Sequence, residues 1–281
     1  MAVFNGTSGN DVLQGTTGPD LIYGYDGNDT IIGGFGNDSM YGGNGDDVFV
    51  LNSSAGVDYY DGGSGTDIIA VSNVSAAFSY VDIGIGSMSS IEGIVNNDYK
   101  PVYIATAGSL DLTGVTLINI AGFKGTATND YMTGEAVYNS LTSTWSGIKM
   151  WGYAGNDQMT GSSYGDTIDG GDGTDQLFGR GGNDTLIGGL GADQLTGGVA
   201  NDTLTGGAGA DQFIFGSGNG VDTVTDYVDG SDKFVMGANV SSVNLYNHNG
   251  SALLEINGGT TYVIVSGVSA NSIDSSDFLW A

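Results

Sequence analysis

The chain has 281 residues, 52 of them glycine, 2 proline and none cysteine, and a formal net charge of −27 from 32 acidic against 5 basic side chains. That balance leaves no disulfide or thiolate chemistry and no basic patch to neutralise phosphates, which excludes nucleic acid as a partner. The glycine has no triplet period and 40% of residues are hydrophobic, so the chain is neither collagenous nor disordered and a packed core is expected.

Only Glu92, Glu135 and Glu255 break the dominance of Asp among the acids. The short Asp side chain bonds to nearby backbone and favours turns over helices. The opening stretch MAVFNGTSGNDV lacks the basic and apolar regions of a cleavable leader, and no apolar run approaches the roughly 18 residues of a membrane span.

From Gly6 five nonapeptides follow without a slip: GTSGNDVLQ, GTTGPDLIY, GYDGNDTII, GGFGNDSMY and GGNGDDVFV. A further copy, GGSGTDIIA, starts at Gly62. Residues 71–150 differ: they hold Lys100, Lys124 and Lys149, three of the five basic residues, and one degenerate copy, GTATNDYMT, at Gly125. LDLTGVTLINIAGF alternates as β-strands do, and the region is expected to add solenoid turns with longer loops. Its aromatics, among them Tyr103, Phe123, Tyr138, Trp145 and Trp151, suit a core, a cap or a sugar-stacking surface.

From Gly152 seven more units run unbroken, GYAGNDQMT, GSSYGDTID, GGDGTDQLF, GRGGNDTLI, GGLGADQLT, GGVANDTLT and GGAGADQFI. Both blocks close on a GVD, at Asp58 and Asp222, which points to internal duplication and a last site or capping turn. Asp61, Asp226 and Asp232 are further terminal candidates. The last segment, SALLEINGGTTYVIVSGVSANSIDSSDFLWA, alternates as strands around Gly-Gly and ends in Asp277 followed by apolar residues. The expected divisions are 1–70, 71–150, 151–215 and 216–281.

Every unit carries Asp at its sixth place and an apolar residue at its eighth. Glycine and Asx in the first six places supply the positive φ of a tight turn, and the last three residues make a short strand with one inward side chain. Two nonapeptides then form one coil of a parallel β-solenoid, with Leu13, Ile31 and Phe49 stacked on one side and Ile22 and Met40 on the other. Met159, Ile168, Leu177, Leu186, Leu195, Leu204 and Phe213 do likewise in the second block. The sixth-place carboxylates must stack too, and such rows repel unless a cation lies between turns. An oxygen-seeking ion accepting six to eight ligands, from carboxylates and glycine carbonyls, fits best, and calcium is that ion.

These units resemble the calcium-binding nonapeptide, GGxGxDx-apolar-x, of the RTX (repeats-in-toxin, hemolysin-type) family. The resemblance implies an all-β, parallel β-roll with two blocks of calcium-binding repeats. Asp11, Asp20, Asp29, Asp38, Asp47 and Asp67 in the first part, and Asp157, Asp166, Asp175, Asp184, Asp193, Asp202, Asp211 and Asp222 in the second, are the expected metal ligands. Sharing between units 18 residues apart gives roughly eight ions, and folding and metal binding become one event. The C-terminus resembles the uncleaved signal of type I secretion, which implies that export machinery as a partner and a secreted or cell-surface location; it equally suits a solenoid cap.

Neither HExxH nor a GxSxG with a histidine partner is present, and the single histidine, His248, sits in an Asx-rich turn sequence. Glu92, Asp98, Asp111 and Glu135 are the carboxylates from which a glycosidase or lyase pair would have to come. Two readings follow. One is a non-catalytic extracellular structural, surface-layer or adhesion protein whose partners are further copies of itself in an oligomer or lattice, a glycan or a cell surface. The other is a polysaccharide-acting enzyme (lyase, hydrolase or epimerase), or its accessory module, using the central region.

Overall fold

The computed structural model describes residues 1–51, 56–72, 81–97, 102–106, 109–140, 142–216, 220–259 and 261–280. Among them the fold is all-β: strands joined by tight turns, with two short 3-10 turns, Ala270–Ser272 and Ser275–Asp277, as its helical content. The chain divides into two compact units, Met1–Gly125 with Glu135–Trp145, and Thr126–Gly134 with Ser146–Ala281.

In the first unit, Ala2–Asn5, Asp20–Asp26, Ser39–Asn44 and Val57–Ser64 stack in parallel as one sheet, and Val12–Gln14, Thr30–Ile32, Val48–Leu51, Ile68–Val71 and Gly93–Asn96 as a second. Leu13 pairs with Ile31 and Ile22 with Met40, so the register advances by two nonapeptides per coil, as the repeat predicts. The solenoid continues through the non-repetitive region: Val102–Thr106 pairs in parallel with Val81–Ser89, and Thr116–Ile118 with Gly93–Asn96.

The second unit repeats the plan. Lys149–Trp151, Thr167–Asp172, Thr185–Leu190, Thr203–Ala208 and Gly220–Val224 form one parallel sheet, which Thr261–Val265 extends before Ser251–Ile256 and Val243–His248 close it antiparallel. The other face runs Tyr131–Thr133, Gln158–Thr160, Gln176–Gly181, Gln194–Val199, Gln212–Phe215, Lys233–Met236 and Phe278–Trp280. The apolar end of the chain is therefore the last strand of a sheet, held by Asp277, whose carboxylate lies 3.7 Å from Lys233 Nζ.

The eighth-place residues make the core. Ile22, Ile31, Met40 and Phe49 in the first unit, and Met159, Ile168, Leu177, Leu186, Leu195, Leu204 and Phe213 in the second, are shielded from solvent. Each such side chain sits between identical positions one coil above and below, so loss of one leaves a void that its neighbours cannot fill. Leu186→Ala, between Ile168 and Leu204, is expected to cost about 2–5 kcal/mol. A urea unfolding midpoint in saturating calcium that matches the parent would contradict this packing.

Candidate metal centre

The turn ends where its Asp begins the strand, and there the carboxylate is drawn under the backbone. The Asp11 N–H donates to Asp29 Oδ1 at 2.8 Å, Asp29 to Asp47 at 2.8 Å, Asp47 to Asp67 at 2.8 Å, and Asp67 to Glu92 Oε2 at 2.7 Å. On the opposite edge of the first unit, Asp20 donates to Asp38 and Asp38 to Asp58, both at 2.9 Å.

The second unit has the same two ladders. One runs through Asp130, Asp157, Asp175, Asp193, Asp211 and Asp232 with spacings of 2.8–3.0 Å. The other starts with the Ile148 N–H on Asp166 Oδ1 at 2.7 Å and continues through Asp184, Asp202 and Asp222. All fourteen expected ligands thus stand in four ladders.

Each ladder bond uses only one carboxylate oxygen. The other, Oδ2, is buried without any hydrogen-bond partner in Asp29, Asp38, Asp47, Asp67, Asp157, Asp175, Asp184, Asp193, Asp202, Asp211 and Asp222. A buried ionised oxygen with no donor costs several kcal/mol, roughly, unless a cation or a proton meets it.

The surroundings of these oxygens fit a cation. A Cβ added at Gly24 would collide with Asp29 Oδ2 and with the Gly42 carbonyl oxygen of the next coil, while one added at Gly43 (φ 114°) would collide with the carbonyl oxygen of Tyr25. Both faces of the gap between stacked turns are lined with oxygen, and glycine keeps the gap open. Among the described residues no three His, Cys, Asp or Glu side chains converge on one point. Each gap instead brings one free carboxylate oxygen together with backbone carbonyls, a donor set for a hard ion with many oxygen ligands rather than for zinc.

The electrostatics point the same way. Burial, reinforced by Asp166 and Asp202 and opposed by the hydrogen bond from the Asp166 amide, pushes the Asp184 carboxyl up to about 8. Burial raises Asp222 to about 7, and Asp47, Asp157, Asp175 and Asp193 to about 6. Neutral pH therefore finds the stack poised between holding protons and holding cations.

Three residues outside the expected set also occupy ladder positions: Asp130 through its backbone N–H, which donates to Asp157 Oδ1, Asp232 through Oδ1, and Glu92 through Oε2. Asp58, expected as a last site or capping residue, is a full rung, and its Oδ2 accepts from the buried Tyr60 hydroxyl at 3.1 Å. Asp226 accepts from the amides of Gly206 and Gly207 at 2.9 and 2.7 Å, which pins the turn above it. Of the carboxylates considered for catalysis, Glu92 ends a ladder and Asp111 accepts from the Thr113 amide at 3.0 Å. Asp98 lies outside the described residues. His248 is exposed at a hairpin end, with Nε2 3.1 Å from Asn249 Nδ2.

The model of the RTX calcium-binding nonapeptide repeat matches this chain over residues 5–40, 24–53, 151–186 and 187–222. No curated protein matches it. Among solved structures it is similar to the extracellular lipase LipA from Serratia marcescens at 20% identity and a TM-score of 0.26, over the whole of this chain and 40% of that one. The chain thus spans well under half the length of that lipase, and a likeness so slight carries no argument. The repeats and their match suffice for these two stretches: residues 5–53 and 151–222 are RTX calcium-binding nonapeptide repeats, and calcium is the ion of their turns.

Proposed function

We propose that this chain is a secreted protein that folds on binding calcium outside the cell and then serves, without catalysis, as an extracellular structural, surface-layer or adhesion protein. The observation that carries the reading is the set of buried, donorless Oδ2 atoms at regular intervals along four ladders. When bound, calcium supplies positive charge to those oxygens and ties successive coils together. The chain's own part is to hold one oxygen of each carboxylate on a backbone amide and to aim the other into the gap.

Export fits the same chemistry. A chain that needs calcium to close stays open where calcium is scarce and folds where it is plentiful. The segment resembling a type I signal is the strand Phe278–Trp280 of the folded second unit, so it is freely presented only before folding.

The outer surface supports adhesion or assembly. Tyr25, Tyr23, Tyr41 and Tyr59 form a row of rings with centroids 6.0, 5.0 and 5.4 Å apart. A stacked aromatic row of this kind suits a sugar face or the same row of a second copy. The competing reading, an enzyme or accessory module for polysaccharides, draws on a cleft of 240 Å³ where Glu135 lies with the exposed Trp145. Sedimentation velocity along a calcium titration to millimolar tests the structural role. The expected result is an expanded chain that compacts as calcium is added and then grows into large, chelator-reversible particles. A chain that stays monomeric in calcium and cleaves a polysaccharide would overturn it.

A further inference from the structure

We propose that the second residue of each nonapeptide decides whether its turn takes an ion, and that the turns carrying Thr or Ser there, beginning at Gly6, Gly15, Gly125 and Gly161, take none. The inference rests on the calcium reading above and divides its turns into two kinds.

The turns whose Asp Oδ2 lacks a partner have a positive φ at both the second and the fourth place where the regular nonapeptide is kept. Gly43 and Gly45 (114° and 126°) and Gly189 and Gly191 (113° and 134°) are the regular form. Tyr25, Tyr153 and Arg180 hold the second place at 79°, 71° and 76°, and Ala200 the fourth at 91°. A non-glycine residue in this region is unusual, so the conformation is imposed by the turn rather than by the side chain.

Thr7, Thr16, Thr126 and Ser162 do not adopt it, and neither do Gly9, Gly18, Thr128 and Tyr164 at the fourth place. A side chain branched at Cβ resists positive φ, and a hydroxyl one bond from Cβ finds a better use. The Thr16 amide donates to Asp20 Oδ2 at 2.6 Å and its hydroxyl to the same atom at 2.8 Å. Thr7 does the same to Asp11 at 2.6 and 2.9 Å, and the Thr126 amide reaches Asp130 at 2.6 Å.

In the fourth turn the Ser162 amide reaches Asp166 Oδ2 at 2.6 Å and its hydroxyl reaches Oδ1 at 2.9 Å. None of these four carboxylates keeps a buried oxygen without a donor, in contrast to the regular turns directly below them on the same edges. At the foot of one ladder the branched Val228 caps Asp232 Oδ2 with its amide at 2.8 Å in the same way. Two or three donors replace the cation, and the turn closes without it.

The positions of these turns give the distinction a role. Asp11 and Asp20 head the two ladders of the first unit, and Asp130 and Asp166 are the first carboxylates of the two in the second. Every ladder therefore begins on a rung that needs no metal and offers the next coil a formed edge on which to stack, as the atypical end repeats of solenoids do.

Equilibrium dialysis against calcium, with the metal counted per chain, tests this on adjacent rungs of one edge. Asp184→Asn is expected to lower the saturating count by about one ion, whereas Asp166→Asn leaves it at the parent value. Equal losses in the two variants would overturn the inference; no loss in either would overturn the calcium reading beneath it. A second variant guards against misfolding: Ser162→Gly with Tyr164→Gly restores glycine at both places and is expected to bind about one ion more than the parent. An unchanged count there would also sink the proposal.

Discussion

Calcium withdrawal should unfold this chain. At neutral pH in chelator the expected species is expanded, with an unfolded radius of gyration on the order of 60 Å for this length, and without the far-UV signature of parallel sheet. Stacked strands lie about 4.8 Å apart, and at that spacing two neighbouring carboxylates repel by about 3.5 kcal/mol at an effective dielectric of ~20. A handful of such pairs exceeds the 5–15 kcal/mol, roughly, by which folded domains outlast their unfolded chains. The ladders contain many, and the orphaned Oδ2 atoms add a desolvation cost that no internal donor relieves. Calcium titrated back should restore compactness over a narrow range, because an ion between two coils helps to order both. Identical sedimentation and circular dichroism in chelator and in calcium would refute the account.

Much of this was legible in the nonapeptide itself. Asp at the sixth place and an apolar residue at the eighth announce a coil of 18 residues, and the pairing of Leu13 with Ile31 and of Ile168 with Leu186 follows that register. The ladder beyond the regular blocks was harder to read, because stacking fixes the rung while loop length sets the spacing in sequence. Asp38 reaches Asp58 over 20 residues, Asp211 reaches Asp232 over 21, Asp67 reaches Glu92 over 25 and Asp130 reaches Asp157 over 27. No fixed period finds such partners. The sixth and eighth places are kept in the turns with second-place Thr or Ser, so the spacing does not set them apart; only the hydrogen bonds reveal that the change alters what the carboxylate can bind.

Protons should partly substitute for calcium, and this gives the second large effect. In the folded chain without metal, burial raises Asp184 to about 8, Asp222 to about 7, and Asp47, Asp58, Asp157, Asp175 and Asp193 to about 6, against 3.8 for an Asp in the unfolded chain. Groups whose folded values are raised bind more protons when folded. Their contribution to stability is complete below the unfolded value and is lost as pH climbs through about 6 to about 8. Asp20 runs the other way: burial raises it, but the Thr16 and Ala2 amides and the Thr16 hydroxyl more than offset this and hold it below its ordinary value. It belongs to a capped turn and gains nothing from acid. The calcium-free chain should therefore be compact near pH 5 and expanded near pH 8. Calcium added at pH 5 must displace those protons, whereas at pH 8 it meets ionised carboxylates in an open chain. Proton release measured during calcium addition should accordingly be substantial at pH 5 and small at pH 8. Equal release at both pH values, or a calcium-free chain as expanded at pH 5 as at pH 8, would mean that the ladder carboxylates do not take up protons when the coils close.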